Sequence, residues 1–245
     1  MSYHVIIEGS SSANTYSDES GKSGFTGRID NHLRTHCEET KRRANWDPVS
    51  DWVYLSNFAQ AGKHLPIWAE LVPNHMGETF SRSRHKDQTA RLGIFVLEGH
   101  PLMIEQKYDK THLRGGRSVH EVWRDSLETI KDECFARDAK ALFVQMPPPE
   151  RSIGRRGLEV HQKLVGQVVK TCISMDGDAT FVSVADMLGD HDPRPFIAED
   201  RMHPNARGHE LIFRNLIPIV YEQLDIKPHF DLPNPEEVFE PSFTP

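Results

Sequence analysis

Cysteine is scarce and shows no paired short spacing. The 245-residue chain holds three, Cys37, Cys134 and Cys172. Their odd number and lack of short paired spacing exclude a disulfide framework and the usual zinc-ligand patterns. Long apolar runs are missing too. No stretch approaches the roughly 20 residues that span a bilayer, and no basic-plus-apolar leader precedes the first strand. The expected setting is a reducing, cytoplasmic one. Excess positive charge is also absent. A formal charge of -7 at pH 7 lacks the lysine and arginine surplus on which general nucleic-acid affinity rests. Lys41-Arg42-Arg43 and Arg155-Arg156 are too short to supply it locally. The fourteen histidines are spread along the chain and predict no structural metal site.

What is present suits one α/β domain. A hydrophobic fraction of 37% and a mean hydropathy of -0.56 fit a water-facing surface around a sizeable core. Five short apolar or β-branched runs read as strands: His4 to Gly9, Asp51 to Phe58, Gly93 to Gly99, Ala141 to Val144 and Ala179 to Val184. Gly93-Ile94-Phe95-Val96-Leu97 is apolar throughout, as strands covered on both faces are. Helical spacing marks the segments between them: Gly24 to about Cys37, Ile67 to Leu71, Ser118 to Asp138 and Gly157 to Ile173. Cys134 and Cys172 fall inside such helices and are read as core thiols. Strands alternating with helices predict a three-layer α/β/α fold with a five-stranded parallel sheet in a flavodoxin-like order. Residues 1–225 are expected to form a single domain. Residues 226–245 are rich in proline and acid and are expected to form an extended tail, lying on the body or disordered.

Two stretches carry candidate chemistry. The first is the turn Gly9-Ser10-Ser11-Ser12 at the end of the first strand, the carboxyl edge where parallel sheets hold functional groups. Its residues allow a phosphate cradle, although the full Gly-x-x-x-x-Gly-Lys-Ser/Thr pattern is lacking. They also allow a serine nucleophile on a tight turn, or an ordinary polar loop. The second stretch is Asp200-Arg201-Met202-His203-Pro204-Asn205, just before the last helix. Asp, Asn and Pro gather at helix starts for capping, so helix capping explains the stretch by itself. An aspartate and a histidine three residues apart also suit nucleophile activation, with the imidazole as base and the carboxylate orienting it. Pro204 is expected at the first helical position.

Taken together, the two stretches give a layout that resembles the SGNH (GDSL-type) hydrolase family. Gly9-Ser10-Ser11 stands where that family has Gly-Asp-Ser, which puts the nucleophile on Ser11. Asp200 and His203 stand at its Asp-x-x-His, and Pro204-Asn205, Gly208 and His209 look like the usual continuation. Ala61-Gly62, after the second strand, resembles the block whose glycine N–H helps form the oxyanion hole. The triple proline Pro147-Pro148-Pro149 is also similar to the family. Two positions depart from it. Ser10 replaces the aspartate, and Glu98-Gly99-His100-Pro101 replaces Gly-x-Asn-Asp, so the oxyanion asparagine is missing and His100 is the side chain able to stand in.

The resemblance implies the SGNH hydrolase fold and an esterase with catalytic Ser11, His203 and Asp200, and with oxyanion donors from Ser11, Gly62 and His100. It implies no cofactor and no metal. The expected substrate is a small-molecule or carbohydrate ester, with a short acyl group favoured by the polar loops Thr79 to Ala90, Tyr108 to Gly116, Arg151 to Arg156 and Gly189 to Ala198. The competing expectation is a degenerate, non-catalytic module of the same fold that binds an acyl or carbohydrate ligand.

Overall fold

The computed structural model describes residues 1–13, 24–43, 52–61, 63, 65–81, 89–97, 117–147, 155–200 and 203–245. Five strands form one parallel sheet: β1 (Ser2–Glu8), β2 (Trp52–Asn57), β3 (Thr89–Leu97), β4 (Lys140–Gln145) and β5 (Ala179–Ser183). Their order is β2-β1-β3-β4-β5, the flavodoxin-like arrangement that the alternation of elements predicts. Because all pairings are parallel, every strand ends on the same edge. Loops that leave that edge can converge on one point although their residues are far apart in sequence.

The apolar alternation explains the layers. Tyr3, Val5 and Ile7 of β1, with Leu92, Ile94 and Val96 of β3, face one core. That core is completed by Phe25, Ile29 and Leu33 of α1 (Gly24–Arg43) and by Ile212, Leu216, Ile217 and Val220 of α7 (Ala206–Gln223). Ile6, Phe95, Leu97 and Phe143 face the opposite core. There they meet α2 (Leu65–Ala69), α3 (Val72–Phe80), α4 (Val119–Ala136) and α5 (Arg155–Ser174). β3 is buried on both faces from Leu92 onward, which is why its sequence reads as an unbroken apolar run. Ser118 caps α4 in a reciprocal box with Glu121, a device that contributes about 1 kcal/mol.

Three local expectations change. The segment after Leu71, to which the sequence assigns no element, is helical. Pro73 sits in the first turn of α3, where its missing N–H is harmless, and the helix runs through Phe80. The segment after β5 forms a further short helix, α6 (Val184–Leu188), followed by a 3-10 turn at Arg194–Phe196. Pro204 is not the first residue of α7. Asn205 is the N-cap, its side chain accepting from Gly208 N–H at 2.9 Å, and Pro204 instead bridges to Ile197. Asparagine takes the cap because its carbonyl satisfies an N–H that no helical partner could reach.

Residues beyond α7 lie along that helix. Arg207 donates to the carbonyls of Val238 and Glu240, and Arg214 donates to Asn234 O and Glu237. Val238, within a 3-10 turn at Pro235–Phe239, is buried against Leu188, Phe196 and Leu211. This small cluster supports Phe196, whose carbonyl accepts from Asn205 N–H at 3.1 Å.

Candidate active site

Ser11 lies in the turn that follows β1. Gly9 lets that turn form, since a Cβ there would stand 2.9 Å from the Cβ atoms of both Ala13 and Val96. The turn is then tied from two sides. Asn57, at the end of β2, donates through Nδ2 to Ala13 O at 2.9 Å, and Thr26 Oγ1 donates to the same carbonyl at 3.1 Å. Gln60 N–H donates to Gly9 O at 3.1 Å. Thr26 belongs to the first turn of α1, so three elements fix the height of Ser11 above the sheet.

His203 approaches from the other side. Its carbonyl accepts from Ala198 N–H at 2.8 Å, and Asn205 Nδ2 holds Pro195 O and Ile197 O at 2.9 and 3.3 Å. Gly208 is required here because a Cβ would run into the carbonyl of Phe196 and stand 2.9 Å from Pro204. The next residue, His209, is buried, stacks on Phe25 and accepts through Nδ1 from Phe25 N–H at 3.2 Å. The start of α7 is thereby pinned to the start of α1, and the loops carrying His203 and Ser11 share a frame.

Within that frame His203 Nε2 lies 2.6 Å from Ser11 Oγ, and His203 Nδ1 lies 2.5 Å from Asp200 Oδ2. A carboxylate beside Nδ1 favours the tautomer that carries its proton there. Nε2 is then left as the acceptor facing the serine hydroxyl. The histidine and aspartate side chains keep 35% and 48% of their exposure, so water reaches this pair. Ser11, His203 and Asp200 are thus brought together from both ends of the chain. Gly62 and His100, the other expected site residues, lie outside the described residues, as do the Gly99-His100 turn and the loops 108–116 and 151–154.

Asn57 and Thr26 escaped the sequence reading. The available signal was the polar pair Ser56-Asn57 closing an otherwise apolar strand just before Phe58. The three cysteines are all buried, and burial pushes Cys134 and Cys172 up to about 12 and 11. Such thiols are poor nucleophiles at neutral pH. His32 and His36 stand one helical turn apart on α1, a spacing that the reading of the histidines as merely scattered overlooked. They pack among Tyr221, Phe230 and His229. Among the described residues no group of three His, Cys, Asp or Glu side chains could hold a metal ion.

No protein-family model matches the chain. A comparison with curated proteins finds no match either. Solved structures do match. LAE5, an α/β hydrolase enzyme from the metagenome of Lake Arreo, aligns with a TM-score of 0.62 at 15% identity, covering 88% of this chain and 94% of LAE5. A catalytic mutant of Axe2, an acetylxylan esterase from Geobacillus stearothermophilus, aligns with a TM-score of 0.61 at 10% identity over 91% of this chain and 94% of its own. TesA aligns with a TM-score of 0.57 at 16% identity over 90% and 99%. The chain therefore shares the fold of these hydrolase and esterase structures. In Axe2 the catalytic mutants replace a serine, and an aspartate and a histidine three residues apart.

Proposed function

We propose that the protein is a carboxylic ester hydrolase working through an acyl-enzyme on Ser11. The observation that carries this reading is the unbroken line Ser11 Oγ, His203 Nε2, His203 Nδ1, Asp200 Oδ2, with separations of 2.6 and 2.5 Å. The same three residue types, with the same Asp-x-x-His spacing, are catalytic in Axe2. Ser11 Oγ attacks the ester carbonyl while Nε2 takes its proton, and Asp200 steadies the imidazolium. The tetrahedral oxyanion is held by the N–H groups of Ser11 and Gly62, with His100 as the third donor in place of the missing asparagine. The imidazolium then protonates the departing alcohol, leaving the acyl group on Ser11. Water, deprotonated by His203, attacks that acyl-enzyme and releases the acid. The bonds broken and formed balance without a metal or cofactor.

The substrate reading is a short acyl ester, such as an acetylated carbohydrate. It draws on the polar candidate loops and on Axe2, which acts on acetylated xylan. A second reading is favoured by one specific feature, the replacement of the oxyanion asparagine by His100. On that reading the chain binds an acyl or carbohydrate ligand without turning it over. A fluorophosphonate probe separates the two, because it labels an activated serine whatever the natural substrate. Labelling and p-nitrophenyl acetate hydrolysis should both be present in the wild type and absent in Ser11→Ala. An unlabelled, folded wild type would leave the binding module in place of the hydrolase.

A further inference from the structure

Glu8 closes β1 three residues before Ser11, on the face of the sheet turned toward α3. Its side chain is fully buried, a position where parallel strands ordinarily carry an apolar residue. Oε1 lies 2.5 Å from His75 Nδ1 on α3, while no described residue hydrogen-bonds Oε2. The His75 ring in turn lies flat on Phe58, with centroids 3.9 Å apart and planes 5° from parallel. Phe58 is the first residue after β2. Its N–H donates to Ile7 O at 2.9 Å, and Gln60 N–H donates to Gly9 O at 3.1 Å. The loop is therefore laced to the residues on either side of Glu8, and the Glu8 side chain grips it again through His75 and Phe58. In sequence that loop leads directly to Gly62.

The charge state of the pair follows from its surroundings. Burial pushes Glu8 up to about 8, with the positive charge of Lys63 opposing. Burial also holds His75 below the ordinary imidazole value, with Glu78 raising it and Lys63 lowering it. Further down the same face, His4 is lowered by burial, its ring bonded to Thr79 O and facing the charge of Arg91. None of these neighbours supplies a hydrogen bond to Oε2. At neutral pH the favoured state is an uncharged pair in which Glu8 Oε1–H donates to His75 Nδ1. Loss of that proton to water leaves a buried carboxylate with one oxygen unsatisfied. To keep the bond the ring would have to move its own proton from Nε2 to Nδ1. The charge would still lie buried, with Oε2 lacking a donor among the described residues, so opening to water is favoured.

We propose that Glu8 and His75 are positioning residues of the site, a proton-sharing pair that clamps Phe58 and the loop after β2, and that ionisation of the pair at alkaline pH releases the clamp. For its effect on turnover this rests on the hydrolase reading above. The clamp itself does not, and it has its own readout.

The test compares wild type, Glu8→Gln and His75→Phe between pH 6 and 9.5. Amide hydrogen exchange at Gln60, corrected for intrinsic rate, reads the clamp; the rate of fluorophosphonate labelling reads the site. In the wild type, protection at Gln60 should fall about tenfold as pH passes 8, a local opening well short of global unfolding, and labelling should fall with it. Glu8→Gln can still donate to Nδ1 but cannot ionise, so both falls should vanish. His75→Phe keeps a ring against Phe58 but lacks the acceptor, and should lower Gln60 protection throughout the range. The same alkaline fall in Glu8→Gln as in wild type would overturn the proposal, as would pH-independent protection in the wild type. If no serine labels while Gln60 behaves as expected, the hydrolase reading falls and the clamp stands. If labelling is present and Gln60 protection is flat, the clamp falls and the hydrolase reading stands.

Discussion

Asp200 holds His203 twice. Oδ1 accepts from the backbone N–H of His203 at 3.0 Å, and Oδ2 accepts from the ring Nδ1 of the same residue at 2.5 Å. One carboxylate thus fixes both the turn that presents the histidine and the orientation and tautomer of its ring. An asparagine could keep the first bond but would offer an N–H to Nδ1 in place of an acceptor, favouring the wrong tautomer. Because water reaches the pair, the charge is worth less than in an enclosed triad. Asp200→Asn should therefore lower kcat about a hundredfold, less than loss of the base itself. Its melting temperature should stay near wild type. Ser11→Ala and His203→Ala should each remove nearly all turnover, and the double variant should be no worse than either. Additive losses in the double variant would show that the residues do not act as a unit.

A second expectation concerns the turn below Ser11. Asn57 Nδ2 bonds Ala13 O, and its Oδ1 accepts from Ala59 N–H at 2.9 Å. The residue therefore joins the serine turn to the loop after β2. Asn57→Ala leaves a partly buried carbonyl and an N–H short of a partner, which should cost about 1–3 kcal/mol of stability. Displacement of Ser11 relative to His203 should also lower kcat by about tenfold or more, since small misplacements of reacting atoms are expensive. Asn57→Asp keeps the acceptor and should retain the bond to Ala59. A melt and a steady-state assay on the pair of variants check both halves. Unchanged kcat in Asn57→Ala would show that Thr26 alone holds the turn.

The fold was largely legible, the site only in part. Buried parallel strands advertise themselves as continuous apolar runs, and β3 is the clearest case. Ser11, Asp200 and His203 could be named together only through the resemblance, since a polar loop accounts for the first turn and helix capping for the second. The structure brings their side chains within hydrogen-bond distance. Ser11 and His203 stand 192 positions apart with no local signal of contact, and only the topology closes that distance. The nine-residue α3 helix has no counterpart in the sequence analysis, where the helical spacing stops at Leu71; Pro73 is tolerated in its first turn. With α3 unseen, the partner of Glu8 could not be foreseen. Nothing in the strand pattern singles out Glu8, whose burial only the structure shows.

Gly208 supplies the third expectation. Its Cα packs so closely on the 3-10 turn that an added methyl group would overlap the carbonyl of Phe196. Backbone carbonyls cannot swing aside as side chains do. Gly208→Ala should force the 196–204 loop away from α7 and destabilise the protein by about 3 kcal/mol, in the range of severe steric changes. The Asn205 cap and the His203 position go with it, so residual folded protein should also label slowly with a fluorophosphonate. A control at Gly166, where an added Cβ meets nothing within 4 Å, should be neutral or slightly stabilising, as expected for a helical glycine replaced by alanine. Equal stability of the two variants would contradict the close approach.

The last expectation is a stability slope with a defined sign and window. Burial raises Glu8 from its ordinary 4.5 to about 8 in the folded state. Between those values the folded protein holds a proton that the unfolded chain has lost, so stability falls as pH rises, by about 1.4 kcal/mol per unit. His4, His32, His75 and His161 are all lowered by burial from 6.5. Below that value the unfolded chain binds protons that the folded chain refuses, so these groups give a slope of opposite sign. The buried thiols Cys134 and Cys172 are raised from 9.0 and add their own loss only as pH nears that value. Among the described residues Glu8 therefore stands nearly alone between pH 6.5 and 8. Urea melts across that window should show wild type losing about 2 kcal/mol. Glu8→Gln has nothing to ionise and should be flat, its advantage over wild type growing with pH. A wild-type slope that survives in Glu8→Gln would mean that another group carries the proton, and that Glu8 is already ionised at pH 6.5.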